Sequence, residues 1–269
     1  LRNSISTYTL YNQHVLVATE SLVKQGWKAI EIMGEGKEHG LPFMQMSAEQ
    51  IMGLRNMLKE NDVTLGFHLP VVKFNPALPD EETERIWLEC RRMLDIIPFD
   101  YVLLHPGKND SIEEGIKNAA QFGQKLLAQL PDSTTVVFEN VPNAKGAIGT
   151  SVSELIVIVE QLDQKRAKIM FDTGHSYMNH STNILTECRK ALPYLFGLHI
   201  NDNHGQHDEH LQIGEGTIPF QQIFEIVKGR QLQLVFETNT VERANHSRKK
   251  VREFLQIRDS GEMECRQLS

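Results

Sequence analysis

The chain has 269 residues, 40% hydrophobic and 23% charged, enough for one large buried core under a polar surface. Its net charge of −7 and pI near 5.9 argue against a non-specific nucleic-acid binder, which carries a basic balance. Three scattered cysteines (Cys90, Cys188, Cys265) make neither a disulfide framework nor a zinc knuckle, and no apolar run is long enough to span a bilayer, so a cytoplasmic protein with packing cysteines is expected.

In chain order, short apolar runs alternate with longer amphipathic ones. Arg2 to Ser6 reads as a first strand. His14 to Gln25 carries apolar residues at helical spacing and stops at Gly26. Lys28 to Met33 alternates as a second strand, and Gly34 to Pro42 is a glycine-containing loop. Ser47, with Gln50 three residues on, opens a helix to about Asn61. Strands follow at Val63 to His68, Asp100 to His105, Thr134 to Glu139, Ala167 to Asp172, Tyr194 to Ile200 and Gln231 to Glu237. Helices are expected between them at Glu82 to Ile96, Ser111 to Leu130, Ser151 to Leu162, Ile184 to Ala191 and Pro219 to Lys228, with a last one at Val241 to Leu255. No linker or composition shift divides the chain. Eight β/α alternations in this length favour a closed (β/α)8 TIM barrel, as a single domain over 1–256 with a polar tail over 257–269. The loop Gly34 to Gly40 follows the second strand and has the wrong spacing for the phosphate turn of an open, doubly wound sheet.

In such a barrel the active site lies at the C-terminal ends of the strands. The third to eighth strands end on His68, His105, Glu139, Asp172, His199 and Glu237. Just beyond the sixth comes His175, and beyond the seventh come Asp208 and His210. A single histidine or carboxylate at a strand end is ordinarily a surface group, a helix cap or a loop anchor, and Asp172-Thr173-Gly174-His175 could be turn chemistry alone. Six consecutive strands ending this way point instead to one metal centre at one mouth of the barrel. Glu31 alternates inward on the second strand, and a buried acid needs a partner, so a substrate-binding or supporting role is plausible. Asn140 and Asn201, beside the ligand-type residues, can hydrogen-bond to them. His14, His39, His180, His204, His207 and His246 are expected on the surface, with His204 and His207 near enough to support the site. Lys108 and Lys145 could meet a phosphate, although solvated loop lysines are commoner.

These motifs are similar to those of the xylose isomerase-like TIM barrels, the superfamily that joins sugar-phosphate isomerases and epimerases with endonuclease IV. The resemblance rests on Phe67-His68, Leu104-His105-Pro106-Gly107, Phe138-Glu139-Asn140, Asp172-Thr173-Gly174-His175, His199 to Asp202, Asp208 to His210 with Gly214-Glu215-Gly216, and Phe236-Glu237-Thr238. It covers nearly the whole chain. In the endonuclease branch it implies up to three zinc ions: one on His68, His105 and Glu139, one on Glu139, Asp172, His199 and Glu237, and one on His175, Asp208 and His210. In the isomerase branch it implies one ion, Mn, Co, Mg or Zn, on Glu139, Asp172, His199 and Glu237, with Glu139 and Glu237 moving a proton on a sugar or sugar phosphate. Endonuclease IV inserts an arginine from the loop after the second strand and a Tyr-Leu pair after the third-strand histidine. Here that loop offers Lys37, and Leu69, Pro70, Val71 and Val72 follow His68. Without those wedge residues DNA is the second choice of partner, and a metal-dependent isomerase or epimerase is the expected activity, ahead of a trinuclear zinc phosphodiesterase and of a barrel without turnover.

Overall fold

The computed structural model describes residues 1–266, with side chains to Leu255. Eight parallel strands close in sequence order into a barrel: β1 Arg2–Ser6, β2 Ala29–Met33, β3 Thr64–His68, β4 Tyr101–Leu104, β5 Thr135–Glu139, β6 Ala167–Asp172, β7 Leu195–Ile200 and β8 Gln233–Phe236. β1 pairs with both β2 and β8, so no sheet edge is left open. The helices are α1 Val15–Lys24, α2 Leu41–Met44, α3 Ala48–Glu60, α4 Glu81–Leu94, α5 Ile112–Gln129, α6 Val152–Glu160, α7 Thr173–His180, α8 Ile184–Ala191, α9 Phe220–Ile226 and α10 Val241–Arg266. The backbone of α10 runs through the first part of the segment expected as a tail; its side chains, Cys265 included, and residues 267–269 lie outside the described residues.

The helix starts were written in the sequence. Ser47 and Gln50 form a reciprocal capping box on α3, and the hydroxyls of Ser111 and Ser151 accept from the amides of Glu114 and Glu154 at the starts of α5 and α6. Two stretches differ from expectation. The loop after β2 contains a π-helical turn, Gly36–Gly40, running into α2. The Asp172 turn is the first turn of α7: the Asp172 carboxylate accepts from the His175 amide at 2.6 Å. β4 and β8 stop one residue before His105 and Glu237.

Strand periodicity of two sends alternate side chains into the barrel. At mid-height the interior is filled by Tyr101, Leu103, Val137, Met170 and Val235, with Phe196 packed against them. The large apolar core lies outside this plug, between sheet and helices, around Trp27, Phe67, Trp87, Phe138 and Phe171. Glu31, Gly66 and Tyr101 stand side by side in register on β2, β3 and β4. A Cβ on Gly66 would come under 3.0 Å from the Tyr101 ring, so that glycine makes room for the phenol inside the barrel. Cys90 and Cys188 are buried free thiols, as packing residues are. Among the described residues, no helix is long and apolar enough to cross a membrane.

Candidate metal centre

The inward parity of β3 to β8 carries His68, Glu139, Asp172, His199 and Glu237 to one mouth, where all are buried. His105, just past β4, joins them with its side chain 21% exposed. One ligand atom each from His68, His105 and Glu139 fall within 4.8 Å of one another, and so do those of Glu139, Asp172, His199 and Glu237; Glu139 belongs to both groups. The imidazoles of His68 and His105 each bring Nε2 to 3.2 Å from Glu139 Oε2. Yet this oxygen and His105 Nε2 make no hydrogen bond with the protein. Two ring nitrogens and an oxygen that meet without hydrogen-bond alignment share a focal point. Around a tetrahedral zinc with bonds of about 2.0–2.1 Å, ligand atoms stand roughly 3.3 Å apart, which matches.

The second group surrounds His199. Its Nδ1 lies 3.0 Å from Glu139 Oε1, 3.2 Å from Glu237 Oε2 and 3.7 Å from Asp172 Oδ2. Glu237 Oε1 is buried without a hydrogen-bond partner in the protein. Among the described residues, the ion pairs to these three carboxylates come from histidines, with no lysine or arginine near them. Buried carboxylates this close repel one another unless a cation stands between them. The donor set, mixed nitrogen and carboxylate oxygen, fits a divalent ion such as Zn or Mn.

His175, Asp208 and His210 form a third cluster at the rim. Asp208 Oδ2 lies 3.2 Å from His175 Nε2 and 3.1 Å from His210 Nε2. The loop that carries Asp208 and His210 is tied down by Asp202. Its carboxylate accepts from the amides of Asn203, Gly214, Gly216 and Ile218 at 2.8–3.1 Å. His210 itself sits at φ 48°, a left-handed conformation that costs a non-glycine residue about 1–2 kcal/mol. The Nδ1 atoms of His68, His175 and His210 point at the carbonyls of Leu69, Asn140 and Glu237, at 2.8, 2.9 and 2.8 Å. A carbonyl only accepts, so Nδ1 holds the proton of each neutral ring and Nε2 turns its lone pair to the site.

Electrostatics follow from this crowding. Burial pushes the Glu139 carboxyl upward, but His199, His105 and His175 together hold it well below the usual range. Glu237 behaves likewise, burial being overcome by His199 and His210. For Asp172 burial wins and its pKa rises. Burial pushes the His210 ring down, but Asp208 and Glu237 raise it to about 9.

Supporting side chains fall where expected. Asn140 brackets the Asp172 backbone, donating to its carbonyl and accepting from its amide, and Asn201 Nδ2 donates to Asp172 Oδ2 at 2.9 Å. Glu31 is buried with Oε2 3.1 Å from His199 Nε2. Other expectations fail. His39 is not a surface residue: it is wholly buried, its ring between Thr7 Oγ1 and Gln13 O at 2.8 and 2.7 Å, because the π-helical turn folds it back onto the segment that follows β1. Neither exposed His204, which pairs with Glu209, nor exposed His207 supports the site. His14 caps α1, His180 bonds the Thr150 carbonyl, and His246 is exposed. Lys145 is exposed, and Lys108 lines a recess of about 440 Å³ beside His105.

Over the clusters lies a cavity of about 240 Å³, lined by His68, His105, Glu139, His175, Asp208, His210 and Glu237 and closed by Tyr8, Tyr11, Met33, Glu35 and Val71. Tyr8 stacks obliquely on His210 with centroids 4.4 Å apart, and burial beside Glu237 and Asp208 pushes its hydroxyl up to about 12. Sequence reasoning missed both tyrosines. The signal was present: an aromatic run directly after the first strand, at the mouth where a TIM barrel builds its site. The Glu35 carboxylate accepts from the amides of Val71 and Val72 at 2.9 and 3.0 Å, joining the loops after β2 and β3 over the cavity. A larger recess of about 560 Å³ at the opposite mouth contains none of the clustered ligand-type residues.

Residues 20–257 match the family model described as Xylose isomerase-like TIM barrel. An uncharacterised protein of Methanocaldococcus jannaschii, MJ1311, is 26% identical over 96% of this chain and 90% of its own. A Halothermothrix orenii protein named Probable endonuclease 4 is 26% identical over 78% of this chain and 83% of its own. Among solved structures, a D-tagatose 3-epimerase-like protein superposes with a TM-score of 0.82 at 24% identity, covering 97% of this chain and 99% of that one. With most of its length matched and its eight strands closed in order, the chain belongs to the xylose isomerase-like TIM barrel family.

Proposed function

We propose that the protein is a divalent-metal-dependent isomerase or epimerase acting on a small sugar or sugar phosphate. One observation carries the reading. Glu139 and Glu237, delivered by β5 and β8, are both buried and both reach His199 Nδ1 from the cavity wall, each keeping one oxygen free of hydrogen bonds within the protein. Two carboxylates that face one small cavity can take a proton from a substrate carbon and return one to it. Glu139, Asp172, His199 and Glu237 would hold the cation, which when bound supplies polarisation of a carbonyl and its neighbouring hydroxyl. Asn140 and Asn201 keep Asp172 in place, and Tyr8 and His175 offer hydrogen bonds to substrate oxygens. The tight cavity suits one small polyol, and the similarity to an epimerase-like structure agrees with this in fold.

A second reading has its own support. A mononuclear isomerase has no need of His68, His105, Asp208 and His210 as ligands, whereas a trinuclear zinc phosphodiesterase of the endonuclease IV kind, cleaving DNA at abasic sites, uses all three clusters, and the relatives include proteins named for that activity. Metal content and two assays separate the readings. The protein loaded with Mn, Co or Zn should exchange deuterium from solvent into ketose substrates, Glu139→Gln should abolish the exchange, and Asp208→Asn should leave a measurable fraction. Cleavage of an abasic-site duplex by the loaded protein, lost in Asp208→Asn, would overturn the preference.

A further inference from the structure

The histidines of the centre are not held alike. Those of His68, His175 and His210 rest their second nitrogen on a backbone carbonyl. His199 instead turns Nε2 to a carboxylate, Glu31 Oε2, at 3.1 Å. Glu31 comes from β2, 168 residues away in sequence, and both residues are wholly buried. The same Oε2 accepts from the Tyr101 hydroxyl at 2.8 Å. Tyr101 in turn stands in the space left by Gly66, with its ring against Phe196 at 4.8 Å. A continuous buried line thus runs from the barrel plug to the cation cluster: Tyr101 to Glu31 to His199. Glu31 is not among the residues that line the cavity, so substrate contact does not explain it.

We propose that Glu31, oriented by Tyr101, is a positioning residue that accepts a hydrogen bond from the Nε2–H of His199 and so presents the Nδ1 lone pair to a cation held with Glu139, Asp172 and Glu237. This rests on the cation reading above. With Nδ1 facing three carboxylates and Nε2 facing one, the neutral ring has two tautomers, and only the Nε2–H form can ligate. Glu31 selects that form. A charged acceptor also makes the opposite nitrogen a stronger donor to metal than a carbonyl does, and such outer partners change metal affinity by about 10–100-fold.

The test compares wild type, Glu31→Gln and Tyr101→Phe, each stripped with chelator and reloaded with Co²⁺. Affinities come from competition with a chromophoric chelator, and the visible absorption of the bound Co²⁺ reports its ligand field. Glu31→Gln keeps the shape and removes the charge. It should weaken the ion on Glu139, Asp172, His199 and Glu237 by about 10–100-fold and shift its absorption bands, while any ion bound at His68, His105 and Glu139 keeps its spectrum. Tyr101→Phe should weaken the same ion by a smaller factor. Wild-type affinity and spectrum in Glu31→Gln would overturn the proposal, as would equal loss at every ion with unchanged bands, which is what general loosening of the barrel gives. If wild type itself takes up no Co²⁺, the cation reading falls and this inference with it; if wild type loads and Glu31→Gln loads identically, this inference alone falls.

Discussion

Gly66→Ala tests whether the barrel interior is built around the Tyr101 phenol. Gly66 is in regular β backbone with no positive φ, so alanine meets no conformational obstacle there. Taken alone, the change should stabilise by about 0.4–1 kcal/mol through the unfolded chain. The new methyl, however, would lie under 3.0 Å from the Tyr101 ring. That ring is buried, packed against Phe196, and its hydroxyl is held by Glu31. Forcing a methyl into such packing costs about 1–3 kcal/mol. If the hydroxyl is driven off Glu31, a hydrogen bond to a buried carboxylate is lost as well, another 1.5–3 kcal/mol or about that. The balance is a net destabilisation of roughly 2–5 kcal/mol. Urea unfolding followed by far-ultraviolet circular dichroism measures it, together with Tyr101→Leu and the double variant. The shorter leucine leaves room for the methyl, so Gly66→Ala should cost under about 1 kcal/mol in that background. A cost below about 1 kcal/mol in the wild-type background, or an equal cost in both, would refute the steric account.

Three further outcomes are expected. In chelator-treated protein, His210 has its pKa raised to about 9 from 6.5, so its contribution to stability is complete below pH 6.5 and is lost as pH rises through 9. That amounts to roughly 3 kcal/mol, and His175 and His199, also raised, push the same way, so urea midpoints should fall over this window; a flat profile would contradict it. Adding Zn²⁺ at about a hundred times its dissociation constant should raise stability by about 2.7 kcal/mol at pH 7.5, and calorimetry showing no rise would count against a cation in the centre. Asp202→Ala leaves the amides of Gly214, Gly216 and Ile218 without their acceptor, so their hydrogen exchange should accelerate at least tenfold while that of β-strand amides stays slow; uniform acceleration would mean that the carboxylate has no local role.

What the sequence made legible was what depends on local pattern. Eight β/α alternations implied a closed barrel, and position at the C-terminal ends of its strands then assigned His68, Glu139, Asp172 and His199 to one mouth. The spacing of Asp208 and His210 likewise marked the rim. His39 could not be read this way. Its burial depends on a π-helical turn and on Thr7 and Gln13, which lie 32 and 26 positions away. The tyrosines of the cavity are a similar case: Tyr8 sits on a short 3-10 segment after β1 and Tyr11 just past it, with their rings against His210 and His39. Turns of this kind have no periodicity to betray them.

Glu31 lies between these two cases. Its inward direction follows from alternation in β2, and that a buried acid needs a partner follows from solvation energetics. Which partner it finds does not, because β2 and β7 are separated by β1 and β8 and their meeting depends on how far each side chain reaches across the interior. The interior plug settles it. Gly66 admits the Tyr101 ring, the Tyr101 hydroxyl donates to Glu31 Oε2, and that oxygen faces His199 Nε2. A residue with no side chain thereby bears on the orientation of an imidazole four strands away around the barrel. The order of dependence runs from packing to hydrogen bond to imidazole orientation, so a substitution in the plug should be felt at the histidine–carboxylate cluster before it is felt anywhere on the surface of the barrel.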